Sequence, residues 1–174
     1  MRLTARMARP QDARAIWEWR NDPVTRQNSL RSDPIAWKDH CEWFRQQLAS
    51  PTTRLYVVED QGGRPVAQVR YERLNHDLAD VHITVAPGDR GRGVGTEALR
   101  MTMPLAVHSL QVRRVAATIK KRNETSLRAF LRVGFRLEER GLGDARCETV
   151  EESGFDSRCQ VLYFDILMES VPQP

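Results

Sequence analysis

The chain has 174 residues and a mass of 20.0 kDa, the size of one core of two packed layers, so a single domain over residues 1–170 with a tail over 171–174 is expected. Hydrophobic residues make up 40% and charged residues 29%, which excludes wholesale disorder, and no apolar run approaches the ~18 residues of a membrane span. The excess of 27 basic over 23 acidic residues leaves a net charge of +4, which suits an anionic small ligand as well as a nucleic acid, so charge alone does not choose. The 24 arginines against 3 lysines follow the pattern of genomic codon bias and carry no functional weight. Met1 to Pro10 holds no apolar stretch of the ~7 to 15 residues of a secretory leader, so a cytoplasmic protein is expected. Cys41, Cys147 and Cys159 are odd in number and widely spaced, which predicts buried or idle thiols and no metal site.

Leu3, Ala5 and Met7 alternate with polar neighbours as in a short strand, and Gln11 to Arg20 then takes helical spacing. Asp33-Pro34 offers an N-cap and a first-turn proline to a second helix with Trp37, Cys41, Phe44 and Leu48 on one face. Leu55–Glu59, the turn Asp60-Gln61-Gly62-Gly63 and Val66–Arg73 predict a hairpin, and Asn75-His76-Asp77 leads into a fourth strand, Asp80–Val85. A helix from Val94 to about Ser109 follows, with Pro104 predicting a kink or early end, and then the β-branched strand Val115–Ile119. Asn123 is placed to cap another helix carrying Leu127, Phe130 and Leu131, which Gly134 should stop. Phe135–Glu139 and Gln160–Met168 are expected as the last strands, separated by a loop from Gly141 to Ser157.

Chemistry concentrates at Arg90-Gly91-Arg92-Gly93-Val94-Gly95-Thr96, between a predicted strand and a predicted helix. Free N–H groups at a helix start, aided by the macrodipole, attract phosphate oxygens, and glycines let a ligand approach the main chain. The segment has no GxxxxGK[ST], and a dinucleotide GxGxxG would need glycine at position 96, which is Thr96. An ordinary glycine-rich turn into a helix remains the alternative.

Arg90, Gly93 and Gly95 match the Gln/Arg-x-x-Gly-x-Gly/Ala signature of the GNAT acyl-CoA N-acyltransferases, which the chain resembles. Asn123-Glu124-Thr125-Ser126 is similar to that family's Asn-x-x-Ser/Ala helix start, and Gly134-Phe135 to its closing pair. The resemblance spans Leu3 to Leu167 and implies an α/β (α+β) fold: a mixed, mostly antiparallel sheet of six to seven strands, splayed between the fourth and fifth, with helices on both faces. It implies acetyl-CoA as donor, its diphosphate on Arg90, Gly91, Arg92, Gly93, Val94, Gly95 and Thr96, its pantetheine arm in the splay near Asn123, Ser126 and Phe130, and its carbonyl polarised by a backbone N–H near Val85 and Ala86. The family's usual proton donor is a tyrosine seven residues after that asparagine; here the position is Phe130.

Acyl transfer to an amine needs a neutral nucleophile, a polarised carbonyl and a proton for the leaving thiolate. Asp80, His82 and Thr84 share one strand face by two-residue periodicity, which makes His82 and Asp80 candidate bases, with Glu72 weaker; a polar face meeting solvent is the competing reading. Tyr163 reads as a packing residue. On the acceptor side the candidates are Arg20, Asn21, Arg26 and Asn28, with Tyr71 from the third strand, while helix capping and turn-making explain Asn21, Asp22 and Ser29 equally well. Trp43 lies off its helix's apolar face, so it either stacks on a ligand or packs at the surface. Trp19-Arg20-Asn21-Asp22-Pro23 resembles the branches that acetylate nucleotide-linked amino sugars or ribosomal-protein N-termini, with the amino sugar ranked first. The expected partner is a small-molecule amine, not nucleic acid or membrane, with a homodimer left open. An acyl-CoA-binding regulator without turnover is the reading from a different class.

Overall fold

The computed structural model describes residues 2–137 and 159–165. Seven strands form one sheet in the order β1-β2-β3-β4-β5-β7-β6, namely β1 (Thr4–Met7), β2 (Thr53–Glu59), β3 (Pro65–Arg73), β4 (Leu78–Val85), β5 (Arg114–Lys120), β6 (Arg136–Leu137) and β7 (Cys159–Asp165). All neighbours are antiparallel except β4 and β5, which run parallel. That pairing lasts only from Leu78–Asp80 against Arg114–Ala116; beyond it β4 stays with β3 and β5 with β7, and the two parallel strands part. The splay that the family resemblance implies is therefore present.

Helices cover both faces. Tyr56, Val58, Val69, Tyr71 and Val81 face α4 (Val94–Leu110) and α5 (Glu124–Val133), together with Ala98, Leu99, Met103 and Phe130. Leu55 and Val57 face α1 (Ala13–Asn21) and α3 (Trp37–Ala49), which contribute Ile16, Trp19 and Phe44. Each fully buried side chain of this size stabilises by about 1.5–3 kcal/mol, and the larger cluster lies under α4, the helix that carries the glycine segment at its start.

Three expectations about helices change. The Asp-Pro pair occurs twice, and it is Asp22-Pro23 that opens a helix, the six-residue α2 (Pro23–Asn28), with the Asp22 carboxylate accepting from the Thr25 N–H at 3.0 Å. Asp33-Pro34 caps nothing: α3 starts at Trp37, because the Asn21 side chain grips Ile35 from both sides (Ile35 N to Oδ1, 2.8 Å; Nδ2 to Ile35 O, 2.9 Å) and the Trp17 indole adds a third bond to the same carbonyl. These tertiary bonds hold the segment extended where local signals favour a helix start. Finally, α4 runs through Pro104 to Leu110 without ending early. Pro104 is exposed, so water can reach the carbonyl that its ring leaves unbonded.

In α5 the Asn123 carboxamide caps the Ser126 N–H at 3.2 Å and Gly134, at φ 107°, closes the helix. Phe130 is buried, whereas Leu131 is 46% exposed rather than on the core face. Cys41 is half-buried and Cys159 buried. Cys147, the loop Gly141 to Ser157, the remainder of the last predicted strands and the tail lie outside the described residues.

Candidate active site

The glycine segment turns in two left-handed steps, Gly91 at φ 74° and Gly93 at φ 81°, conformations that L side chains resist. Gly93 is the N-cap of α4 and has no side chain with which to cap it; the first bond of the helix returns from Glu97 N to Gly93 O. The amides of Val94, Gly95 and Thr96 therefore have no acceptor within the helix. A Cβ built on Gly91 or Gly93 meets nothing within 4 Å, so both border open space. At Gly95 it would stand 3.4 Å from Val85 Cγ2, so this glycine serves the close packing of α4 on β4. Bare donors beside an open, side-chain-free cradle fit a diphosphate, and the residues present thus fit the cofactor that the family resemblance implies.

The cradle is braced from beneath. Arg64, from the β2–β3 turn, forks onto the buried Asp89 carboxylate at 2.8 and 3.0 Å, and Arg92 adds a bond at 3.3 Å. Arg64 foremost holds the Asp89 carboxyl below the usual carboxylate range. Arg92 is thereby turned to the brace. Arg90 points to α2, giving Nη2 to Asp22 Oδ1 at 2.6 Å and to Thr25 Oγ1 at 2.7 Å. The other end of α2 is held from β5: Lys120 Nζ and Arg122 Nη2 donate to Gln27 O at 3.1 and 2.9 Å, cations at the negative end of a helix. So α2 is fastened at one end to the segment after β4 and at the other to the end of β5.

Beneath it lies a cleft of about 950 Å³. The glycine segment and Asn123, Ser126 and Phe130 line one end, Val81–Val85 and Ala117–Ile119 the splay, and Arg20, Asn28, Trp43 and Arg70 the other end. Ala86 N donates to Val66 O on the β3 side. By strand alternation the Val85 N–H then points to the opposite, unpaired side, into the splay. Val85 rather than Ala86 therefore offers the free donor; Ala86 itself is buried under α1 and α3.

The cross-strand register places Gln68, Arg70 and Glu72 opposite Thr84, His82 and Asp80, all on the α1–α3 face. His82 lines the cleft with its side chain 39% exposed, and its Nε2 lies 2.9 Å from Asp80 Oδ2. With that N–H given to the carboxylate, Nδ1 keeps the free lone pair. Asp80 is buried behind the ring, and neither it nor Glu72 lines the cleft. Arg70, which sequence reasoning missed, stands beside His82, over the Trp43 ring at 5.4 Å and bonded to Gln47 Oε1 at 3.2 Å. Trp43 is thus occupied by a cation of the chain itself while it lines the cleft. His40, also missed, is buried in α3 with Nε2 2.9 Å from Ala13 O, and burial pushes its pKa down.

Tyr71 requires a correction. One residue out of phase with Arg70, it lies on the α4 face, wholly buried and bonded to Thr102 Oγ1 at 3.0 Å, and burial pushes its phenol well above the usual range. It belongs to the core and not to the acceptor side. Asn21 is spent on Ile35 and does not line the cleft. Phe130 is 3% exposed and meets Phe135 edge-on at 4.9 Å. Tyr163 is buried with Leu78 and Ala116, its ring under the Arg114 guanidinium at 4.0 Å. Among the described residues no group of three His, Cys, Asp or Glu side chains could hold a metal, and no helix is long and apolar enough to cross a membrane.

Comparison with known families decides which fold this is: the model of the acetyltransferase (GNAT) domain matches residues 2–136. The chain belongs to the GNAT family. Its fold is similar to that of a spermidine N-acetyltransferase from Vibrio cholerae in complex with CoA and spermine, at a TM-score of 0.76 and 18% identity, covering 94% of this chain and 95% of that one. A domain from Methanocaldococcus jannaschii is alike at a TM-score of 0.75 and 15% identity, over 95% and 99% of the two chains. In sequence, 59 residues are 42% identical to an N-acetyltransferase 9-like protein of Nematostella vectensis; that match spans 33% of this chain and 30% of the relative's length.

Proposed function

We propose that this GNAT chain moves an acetyl group from acetyl-CoA to a primary amine of a small molecule, within a ternary complex. The observation that carries the reading is the bare start of α4, set against left-handed Gly91 and Gly93 and opening directly into the splay where His82 stands. Acetyl-CoA, when bound, supplies an activated thioester carbonyl. The Val94, Gly95 and Thr96 amides hold its diphosphate, and the Val85 N–H is directed to where negative charge grows on the carbonyl oxygen. His82, oriented by Asp80, accepts the ammonium proton at Nδ1 and leaves a neutral nucleophile. With acetyl-CoA bound, the C–N bond would form as the C–S bond breaks, the nitrogen would shed its second proton and the leaving thiolate would take one up; the Phe130 ring has none to give, so this exchange would run through water.

A nucleotide-linked amino sugar is the acceptor ranked first, since Arg20, Arg31 and Arg70 line the acceptor end. A cationic protein N-terminus would meet the same arginines. The test is release of free CoA thiol from acetyl-CoA with a panel of amino sugars, nucleotide-linked amino sugars, polyamines, amino acids and peptides. His82→Ala should lower kcat by about 10²- to 10⁴-fold, and Asp80→Asn should lower it as well; both should keep wild-type affinity for acetyl-CoA, and the inflection in the pH profile of kcat/KM should vanish in His82→Ala. Binding of acetyl-CoA without thiol release for any amine would make the chain an acyl-CoA-binding regulator.

A further inference from the structure

We infer that Arg90 is a positioning residue for the acceptor: it seats α2 against the cleft through Asp22 and Thr25, and its charge is spent there rather than on the diphosphate. The inference rests on the acetyl-transfer reading and gives the first residue of the glycine segment a role within it. One nitrogen, Nη2, donates to the Asp22 carboxylate at 2.6 Å and to the Thr25 hydroxyl at 2.7 Å, and the Arg90 and Asp22 side chains are only 29% and 20% exposed. A cation beside a helix N-terminus is disfavoured by the macrodipole, so it is the Asp22 carboxylate that accounts for Arg90 at the start of α2. Although burial would raise it, the Asp22 carboxyl is held below its usual range, by the Arg90 bond and then by the Thr25 N–H.

The helix needs such a tie. Its six residues are too few to hold a helix alone in water, and none of them is buried, so the core does little to fix its place. Polar ties do so instead, from Arg90 at its start and from Lys120 and Arg122 on the Gln27 carbonyl near its end. From α2, Val24, Thr25 and Asn28 line the cleft, whereas Arg26 does not. Loosening Arg90 therefore acts on the wall that an acceptor meets. The cradle does not depend on it: the Val94, Gly95 and Thr96 amides are main-chain groups, set by left-handed Gly91 and Gly93 and braced by Arg64 on Asp89. A guanidinium in contact with a carboxylate forms a neutral pair, so it adds little attraction for a diphosphate.

The experiment compares Arg90→Gln with Asp22→Asn. Asparagine still accepts the Thr25 N–H as a helix cap but gives Arg90 no charge to meet, so this variant isolates the ion pair. Both substitutions should raise the acceptor KM about tenfold, with a smaller change in kcat, and both should leave the Kd of CoA in titration calorimetry unchanged. Acceptor KM is read by thiol release with the most active amine of the panel above, and the double variant should be no worse than either single one. A diphosphate ligand behaves differently: Arg90→Gln would weaken CoA, and Asp22→Asn, by freeing the guanidinium, would tighten it. Either shift in CoA affinity, at equal stability, overturns the inference. A second arm needs no acceptor: with CoA bound, the α2 amides should exchange with deuterium faster in either variant than in wild type, those at the start of α4 should not, and Arg90→Lys should recover part of the difference. If Arg90→Gln does not fold, Asp22→Asn and Thr25→Val carry the test, and wild-type KM and α2 exchange in both overturn it. Thiol release from no amine overturns the acetyl-transfer reading instead, and the CoA titration and α2 exchange then still judge Arg90.

Discussion

Gly93 holds φ at 81° and Gly63, in the β2–β3 turn, holds it at 76°; in neither place would a Cβ meet another atom within 4 Å. Alanine at either position carries the same conformational cost, about 1–2 kcal/mol for an L residue in the left-handed region. For a chain of this size that lowers the melting temperature by roughly 2–8 °C, taking ~2–4 °C per kcal/mol. The two variants should therefore melt alike. They should part company in titration calorimetry with CoA, because the Gly93 methyl group enters the cradle that the Val94, Gly95 and Thr96 amides surround, and the Gly63 methyl group enters solvent. Gly93→Ala should weaken CoA by at least tenfold, about 1.4 kcal/mol, and Gly63→Ala should leave it unchanged. Equal CoA affinity in the two, at equal stability, would refute the placement of the diphosphate on the start of α4.

Asp89→Asn removes the anion under the cradle and leaves the Arg64 fork without its charge; because Arg64 is 57% exposed and screened the expected loss is modest, about 1–3 kcal/mol, measured by urea unfolding. The Asp89 pKa is depressed in the fold, so this contribution is complete above the unfolded carboxyl value and fades as pH falls through the folded one: the gap between wild type and Asp89→Asn should be full at neutral pH and close in acid, below about pH 4. Phe130→Ala should cost about 3–5 kcal/mol of stability as a buried aromatic truncation, again by urea unfolding; a loss below about 1 kcal/mol would mean the ring is not part of the core.

What could be foreseen in this chain was what neighbours in sequence decide. The β2–β3 hairpin, the Asn123 cap, the Gly134 stop and the glycine turn all rest on contacts within a few residues, and each signal is local. The His82–Asp80 pair was legible because residues two apart on a strand share a face. Tyr71 and Arg70 show the limit: a displacement of one residue moves a side chain to the other side of the sheet, and only the register with β4 shows that Arg70, not Tyr71, neighbours His82. Arg64 and Asp89 lie 25 residues apart, and no local pattern joins them. The two Asp-Pro pairs are equivalent as signals, and the choice between them was made by Asn21 gripping Ile35, a bond that exists only once α1 and the segment before α3 have packed together.

The six residues of α2 rise about 9 Å, and within that length the helix takes hold of the loop after β4 at one end and of the end of β5 at the other. The width of the channel between the strands and the reach of the acceptor wall are therefore set by one ruler. A deletion of a single turn, about 5.4 Å, would leave the ruler too short to touch both strands, whereas point substitutions along its outer face would leave its length untouched. The lining of this end of the cleft can thus drift by changing side chains on α2, but not by changing how many residues it has, without also moving the two parted strands.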